Sequence, residues 1–389
     1  MNIQNLFAQS QEVQQVLTAT IPNSRQLVTG LVGSAKTLLL SELLSAKEAP
    51  ILTISDNLYH AQQLTDDLQN ILDDAQVHLF PVEETLAASA ATSAPIYRGQ
   101  RTEFLHALIA NEPGIYVTSV SGLRRFLPQK KIMQQAVLEV KVGKEFELTD
   151  LEDQLVDMGF VREEMVVRPG DFAVRGSIVD IYPLNADYPV RIDFFDTEVD
   201  SLRYFDSENQ RSVKNIETVT ILPATDFIVT KAMLQKGIEN YQKAVEKEKK
   251  RLKTDNDIQM LDTQAENILA RWQDRNVQPE DIVLADYLYD KKDGLLDYMD
   301  DSGVLVFDDY SRILEAERDL QDDDAEWVAD KLKKHQVIST EKFGFEVRKL
   351  MKDHEQPQIL LSLFQKGLGR LRLDQLVDLR TRAMQEFYG

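Results

Sequence analysis

Gly30, Gly33, Lys36 and Thr37 stand at spacings from which a loop could hold phosphate. The stretch Leu27-Val28-Thr29-Gly30-Leu31-Val32-Gly33-Ser34-Ala35-Lys36-Thr37 runs from an apolar lead-in through small residues into an apolar helix start. The pattern G-x-x-x-x-G-K-[ST] binds phosphate because its backbone N–H groups curl round the oxygens, the lysine reaches the terminal phosphates and the hydroxyl holds Mg²⁺. Gly30, Lys36 and Thr37 fall in that register, but Ala35 stands where the second glycine belongs. A Cβ there obstructs the close wrapping of backbone round phosphate and strains the loop. The strand-to-helix scaffold is expected to persist and the chemistry to fail, so no cofactor is expected from this loop. Asp308-Asp309, at the end of the apolar run Val304-Leu305-Val306-Phe307, are the acids that would hold Mg²⁺ opposite Lys36 and Thr37 in a nucleotide hydrolase. Acids at strand ends are common, however, and a solvated turn after a core strand is the favoured account of them.

A second set of residues suggests recognition rather than reaction. Arg162, Arg168, Arg175, Arg191, Arg203 and Arg211 occur with no lysine between residues 145 and 213. Arginine's planar fork of donors is favoured over lysine at contact surfaces. In Val190-Arg191-Ile192-Asp193-Phe194-Phe195, strand alternation puts Val190, Ile192 and Phe194 on one face and Arg191, Asp193 and Phe195 on the other. Arg203 and Phe205 are expected to repeat that parity after the turn around Thr197 to Asp200. Aromatic and arginine side chains on one exposed sheet face are what a protein-binding hot spot requires. The competing explanation pairs the arginines with local acids such as Asp193, Asp196, Glu198 and Asp200, and packs Phe195 under a helix. The five histidines, His60, His78, His106, His335 and His354, show neither ligand spacing nor a triad arrangement, so no metal and no catalytic residue is expected.

The elements that must position these residues change in texture along the chain. Residues 1–25 suggest a short amphipathic helix leading into the first strand. Up to residue 127, apolar strand runs (Pro50–Ile54, Val77–Pro81, Gly114–Val120) alternate with helical patterns (Thr37–Ala46, Leu58–Leu72, Tyr97–Ala110), which implies a parallel sheet with helices on its faces. Residues 128–225 begin with clustered lysines, include a helix near Leu148 to Met158, and continue as short alternating segments with turn residues, the pattern of antiparallel strands. Residues 226–299 are rich in Lys and Glu at helical spacing, and the run Val245 to Arg251 reads as a solvated helix face. From about residue 300 to 389 the buried-strand pattern returns and completes the first unit. The chain closes on Phe387-Tyr388-Gly389 without a stop signal of its own and reads as a fragment.

A chain of 389 residues with 43% apolar content suggests two to three globular domains. The formal charge of −21, from 65 acidic against 44 basic residues, argues against a broad nucleic-acid footprint. Without cysteine there is no disulfide and no thiolate ligand, and neither a signal peptide nor a membrane span is evident, so a cytoplasmic location is expected.

Four stretches together resemble a known family: Gly30 to Thr37, Thr118 to Arg125, Arg168-Pro169-Gly170-Asp171-Phe172-Ala173-Val174-Arg175-Gly176-Ser177-Ile178-Val179-Asp180-Ile181-Tyr182-Pro183, and Arg191 to Arg203. They are similar to the N-terminal, UvrB-like module of bacterial transcription-repair coupling factors, over essentially the whole chain. The resemblance implies a RecA-like domain 1a at 1–127 completed by about 300–389, a UvrA-binding α+β domain 2 at 128–225 and a helical domain 1b at 226–299. It implies UvrA contacts at Arg175, Arg191 and Phe195, and Arg203 shares their strand parity. A full-length member would continue into RNA-polymerase-binding and ATP- and Mg²⁺-dependent DNA-translocating parts. UvrB has an intact phosphate loop and a Tyr-rich, lesion-clamping hairpin. Here the loop carries Ala35, and the corresponding region, about Val82 to Tyr97, is Ala/Ser-rich without an aromatic wedge. The resulting expectation is a non-catalytic adaptor that mimics UvrB to recruit UvrA to stalled transcription. The alternative is a nucleotide hydrolase or damage-binding helicase relative using Lys36, Thr37 and Asp308.

Overall fold

The computed structural model describes residues 3–84, 94–336, 338, 343–363 and 371–379. The Ala/Ser-rich stretch at 85–93 and the final residues, including Phe387-Tyr388-Gly389, lie outside the described residues. Strands β1 (Arg25–Thr29), β2 (Ile51–Ser55), β3 (Val77–Phe80) and β4 (Ile115–Ser119) come first. Next come β5 (Leu138–Lys141), β6 (Val161–Arg162), β7 (Asp171–Arg175), β8 (Ile178–Ile181), β9 (Val190–Phe195), β10 (Glu198–Phe205), β11 (Ser212–Ile216) and β12 (Thr218–Ile221). The last are β13 (Val304–Asp308), β14 (Gln358–Ser362) and β15 (Gln375–Asp378).

Among the described residues, seven strands make one sheet in the order β15-β1-β14-β13-β2-β4-β3, with every pairing parallel. Parallel strands covered by helices on both faces read as continuous apolar runs, and β2 and β4 are buried at all five positions. Two apolar cores follow from the two faces. One holds Val28, Leu39, Leu40, Ile51, Val117 and Val306; the other holds Leu27, Leu52, Phe104, Tyr116 and Phe307 and continues into the second unit. The N-terminal helix expected as one piece is two, Ile3–Ala8 and Gln11–Ala19, because the Ser10 hydroxyl accepts from the Val13 N–H at 3.2 Å and starts a new helix.

The second unit carries a six-stranded sheet in the order β11-β10-β9-β8-β7-β6, antiparallel except for β6 with β7, and a β12-β5 pair. Its inner face, with Phe172, Val179, Ile181, Ile192, Phe194 and Leu202, packs against the Leu148–Asp157 helix through Leu151 and Leu155. A third core joins the helices Lys231–Lys249 and Asp255–Gln273 through Tyr241, Val245, Leu261 and Trp272. Both helices are started by threonines whose hydroxyls accept a backbone N–H, Thr230 and Thr254. Of the charge run there, Val245 faces this core, Lys249 pairs with Glu246 and Asp262, and Arg251 lies exposed beside Glu248.

Candidate functional site

β1 leads into the phosphate-loop stretch, and Gly30 and Gly33 both take left-handed backbone, at φ 81° and 59°. The Ala35–Lys47 helix starts directly after Ser34, with Ala35 buried at its first position. Lys36 and Asp308, 272 residues apart in the chain, meet at 2.6 Å between Nζ and Oδ2. The Thr37 hydroxyl donates to the Ser34 carbonyl at 2.8 Å and is thereby turned onto the loop's own backbone. The cleft above them encloses about 400 Å³ and is lined by four carboxylates, Asp56, Asp67, Asp308 and Asp309, against Lys36 and Arg312. His60 also lines it, with Nδ1 2.6 Å from Asp56 Oδ1. A lysine already paired inside a cleft with more carboxylates than cations is poorly disposed toward a polyphosphate, because like charge opposes entry and the Lys36–Asp308 pair must first be broken. Asp309 holds left-handed backbone at φ 61° and accepts from the Arg312 N–H at 3.4 Å, which starts the Tyr310–Lys333 helix. Among the described residues no group of three or more His, Asp or Glu is placed to hold a metal.

The arginine-bearing strands give the outer face of the six-stranded sheet a charge lattice. Register sets Asp180 opposite Arg191 and Arg191 opposite Arg203; one step along, Ile178 sits opposite Asp193 and Asp193 opposite Ser201. Arg191 donates from Nε to Asp180 Oδ1 at 2.6 Å and from Nη2 to Oδ2 at 2.8 Å, a fork that fits arginine and no other side chain. Arg175, at the end of β7, donates to the same Oδ2, and Arg203 donates to Asp193. The bonds to Asp180 hold the Arg191 guanidinium above its usual pKa, against a desolvation that lowers it.

The expected parity of β9 is observed: Val190, Ile192 and Phe194 are buried and Phe195 is 78% exposed. Phe205 corrects the expectation for β10. It shares the outer face with Arg203 but is fully buried, in a small outer core with Val166 and Ala173. The segment between β6 and β7 brings Val166 over that face, and Arg191 covers Phe205 from above. The structure therefore separates the four residues singled out from sequence: Phe195 is exposed, Arg175 is exposed and paired, Arg203 is partly buried and paired, and Arg191 is held on three sides. Two exposed apolar residues that the sequence reading missed, Met165 and Val167, flank the Val166 plug. Their alternation about a buried valine is the signal that could have marked them.

A buried ionic cluster was also missed. Asp226, 2% exposed, accepts from Arg101 Nε at 2.9 Å and from Arg125 Nε at 2.7 Å, and Arg101 Nη1 donates to the Pro81 carbonyl at 3.0 Å. Desolvation raises the Asp226 pKa, but the charges and hydrogen bonds of Arg101 and Arg125 outweigh it and hold the carboxyl well below the usual range. The cluster ties the parallel-sheet unit to the start of the helical unit. Nothing in residue spacing pairs positions 101, 125 and 226.

Comparison with known proteins matches residues 138–227 to the family model of the UvrB interaction domain. Over 389 residues, all of this chain, it is 33% identical to the transcription-repair-coupling factor of Bacillus subtilis (strain 168), covering 33% of that protein. It is 30% identical over 369 residues to that of Staphylococcus haemolyticus (strain JCSC1435), covering 93% of this chain and 31% of the relative. Over essentially its whole length the chain is similar to transcription-repair-coupling factors. It spans about a third of the length of the relatives it matches. The stretch that matches the UvrB interaction domain runs from β5 to just past Asp226, so it contains Arg175, Asp180, Arg191, Phe195 and Arg203 and excludes Lys36 and Asp308. Among the described residues no helix is long and apolar enough to cross a membrane.

Proposed function

We propose that this chain is a non-catalytic, UvrB-mimicking adaptor that binds UvrA through the outer face of β8–β10, and so brings excision repair to stalled RNA polymerase. The observation that carries the reading is Phe195: a phenylalanine 78% exposed at the end of a strand, inside the UvrB interaction domain, on a face whose arginines are ordered by carboxylates. An exposed aromatic sharing one sheet face with ordered arginines has the anatomy of a hot spot with its rim. Arg175 and Arg203 are the rim cations, and Arg191 supports the face beneath them. RNA polymerase and DNA contacts, and ATP-driven translocation with Mg²⁺, belong in this reading to the part of coupling factors that this chain does not span. The location is read as cytoplasmic. Titration of purified UvrA with the parent and with Phe195→Ala tests the adaptor. Binding by the parent that drops on Phe195→Ala, with unchanged melting, supports it; equal binding by both refutes the site.

The gathering of Lys36, Thr37 and Asp308 round one cleft favours a second reading, in which that cleft is a working nucleotide site. We infer the opposite, that the chain takes no nucleotide, from Ala35, the inward Thr37 hydroxyl and the excess of carboxylates. A rise in melting temperature with ATP–Mg²⁺ that Lys36→Ala abolishes would reverse that inference, since a ligand selective for the native state must stabilise it.

A further inference from the structure

We propose that Asp180 is a positioning residue for partner binding, which rests on the reading that this face binds UvrA. Asp180 lies in the middle of β8 and is 1% exposed, so it touches no partner itself. Its two oxygens nevertheless gather two of the face's three arginines. Arg191 forks onto Oδ1 and Oδ2, and Arg175 reaches Oδ2 from the neighbouring strand. Arg191 Nη2 also donates to Gln210 Oε1 at 2.9 Å, and its guanidinium carbon stands 4.2 Å from the Phe205 ring centroid. With Nε and Nη2 committed, the Arg191 edge left for an incoming acceptor is Nη1, and its direction is fixed by the fork.

Two consequences make this more than charge balance. A surface arginine gives up rotamer freedom when it binds, whereas one already clamped gives up little, so the carboxylate raises affinity without contact. Two guanidiniums side by side repel; a shared acid between them lets both point outward from one spot. If Asp180 only stabilised the sheet, its loss would lower melting and leave the arginines' contribution to binding intact.

The experiment is a double-variant cycle read by titration with purified UvrA, using the parent chain, Asp180→Asn, Arg191→Ala and the double variant. The expected result is about a tenfold loss for Asp180→Asn, and a double variant within about twofold of Arg191→Ala alone, because residues acting through one another are non-additive. Parental affinity for Asp180→Asn, or losses that multiply in the double variant, would overturn the assignment. Should Asp180→Asn not fold by near-ultraviolet circular dichroism, Arg191→Lys decides: it keeps the charge but cannot span the carboxylate, so a similar loss supports the proposal and parental binding overturns it. A parent that fails to bind UvrA refutes the adaptor reading instead. The Asp180 assignment is then read without UvrA, from the Arg191 Nε–H signal in ¹⁵N NMR. A slowly exchanging, ordered signal that is lost in Asp180→Asn supports it, and one equally ordered in both overturns it.

Discussion

Arg191 lies over the ring of Phe205, with its guanidinium carbon 4.2 Å from the ring centroid, and closes a small core on the outer face of the sheet while its fork holds the buried Asp180. One side chain thus caps apolar surface and neutralises a buried acid. Arg191→Ala is therefore expected to lower stability by about 2 kcal/mol, since it uncovers Phe205 and leaves a buried carboxylate with Arg175 alone. Chemical denaturation of the parent and variant measures this; a change below about 0.5 kcal/mol, the level of an ordinary surface substitution, would mean the stack and fork are incidental.

Phe195→Ala should behave in the opposite way. The side chain is almost free of the fold, so melting should stay within about 0.5 kcal/mol of the parent, while UvrA affinity should fall by about 2 kcal/mol if the ring is the apolar anchor. Arg251→Ala, exposed on the helical unit beside Glu248, is the control and should alter neither. Calorimetric titration alongside thermal melts separates the three, and a Phe195→Ala variant that binds like the parent removes the anchor.

The parallel sheet was legible because its strands are buried on both faces. Runs such as Ile51–Ser55 and Ile115–Ser119 have no other reading between turn signals and helical periods. The face on which Phe195 lies was legible from alternation. Whether anything covers that face was not, neither for exposed Phe195 nor for buried Phe205. The cover of Phe205 is Val166, from a segment without periodicity, and Arg191, whose stacking depends on a cross-strand register. The partner of Asp226 was illegible for a related reason: Arg101 and Arg125 meet Asp226 only after two units have packed.

Ala35→Gly restores the phosphate-loop pattern, yet no ATP turnover above background is expected. The substitution relieves one Cβ, but Lys36 stays paired with Asp308 and the four carboxylates remain round the cleft. Phosphoryl transfer requires positioned metal and compensating positive charge at the γ-phosphate, neither of which a backbone change supplies. A phosphate-release assay on Ala35→Gly checks this, and sustained turnover would show that the glycine was the missing part.

Damaged and intact duplex should be bound alike, and weakly, at physiological salt. The chain carries −21, so association with phosphate backbones lacks the counterion release that drives non-specific binding. Gel shifts with lesion-bearing and intact duplexes of one sequence measure the ratio. A lesion preference of more than about tenfold, ~1.4 kcal/mol, would match the ~1–3 kcal/mol that a single recognised base pair supplies, and would contradict the adaptor reading.

Asp226 offers a test of how the units are held together. Its carboxylate is the shared counter-ion of Arg101 and Arg125, both with little exposure, so Asp226→Asn leaves two desolvated guanidiniums facing a neutral amide. Breaking a buried ion pair from one side costs about 3–5 kcal/mol, and the variant is expected to unfold at correspondingly lower denaturant. Acid titration gives an independent signature. The folded-state pKa of Asp226 lies below its unfolded value, so between the two the unfolded chain binds the extra proton and stability rises with pH. The contribution is complete above about pH 4, the unfolded carboxylate value, and is lost as pH falls through the lower folded-state pKa. Asp226→Asn should therefore show a shallower loss of stability than the parent below about pH 4, while remaining less stable than the parent at neutral pH. Urea midpoints of both proteins from pH 7 down to pH 3 supply the comparison; parallel curves would mean that folding does not lower the carboxyl's pKa.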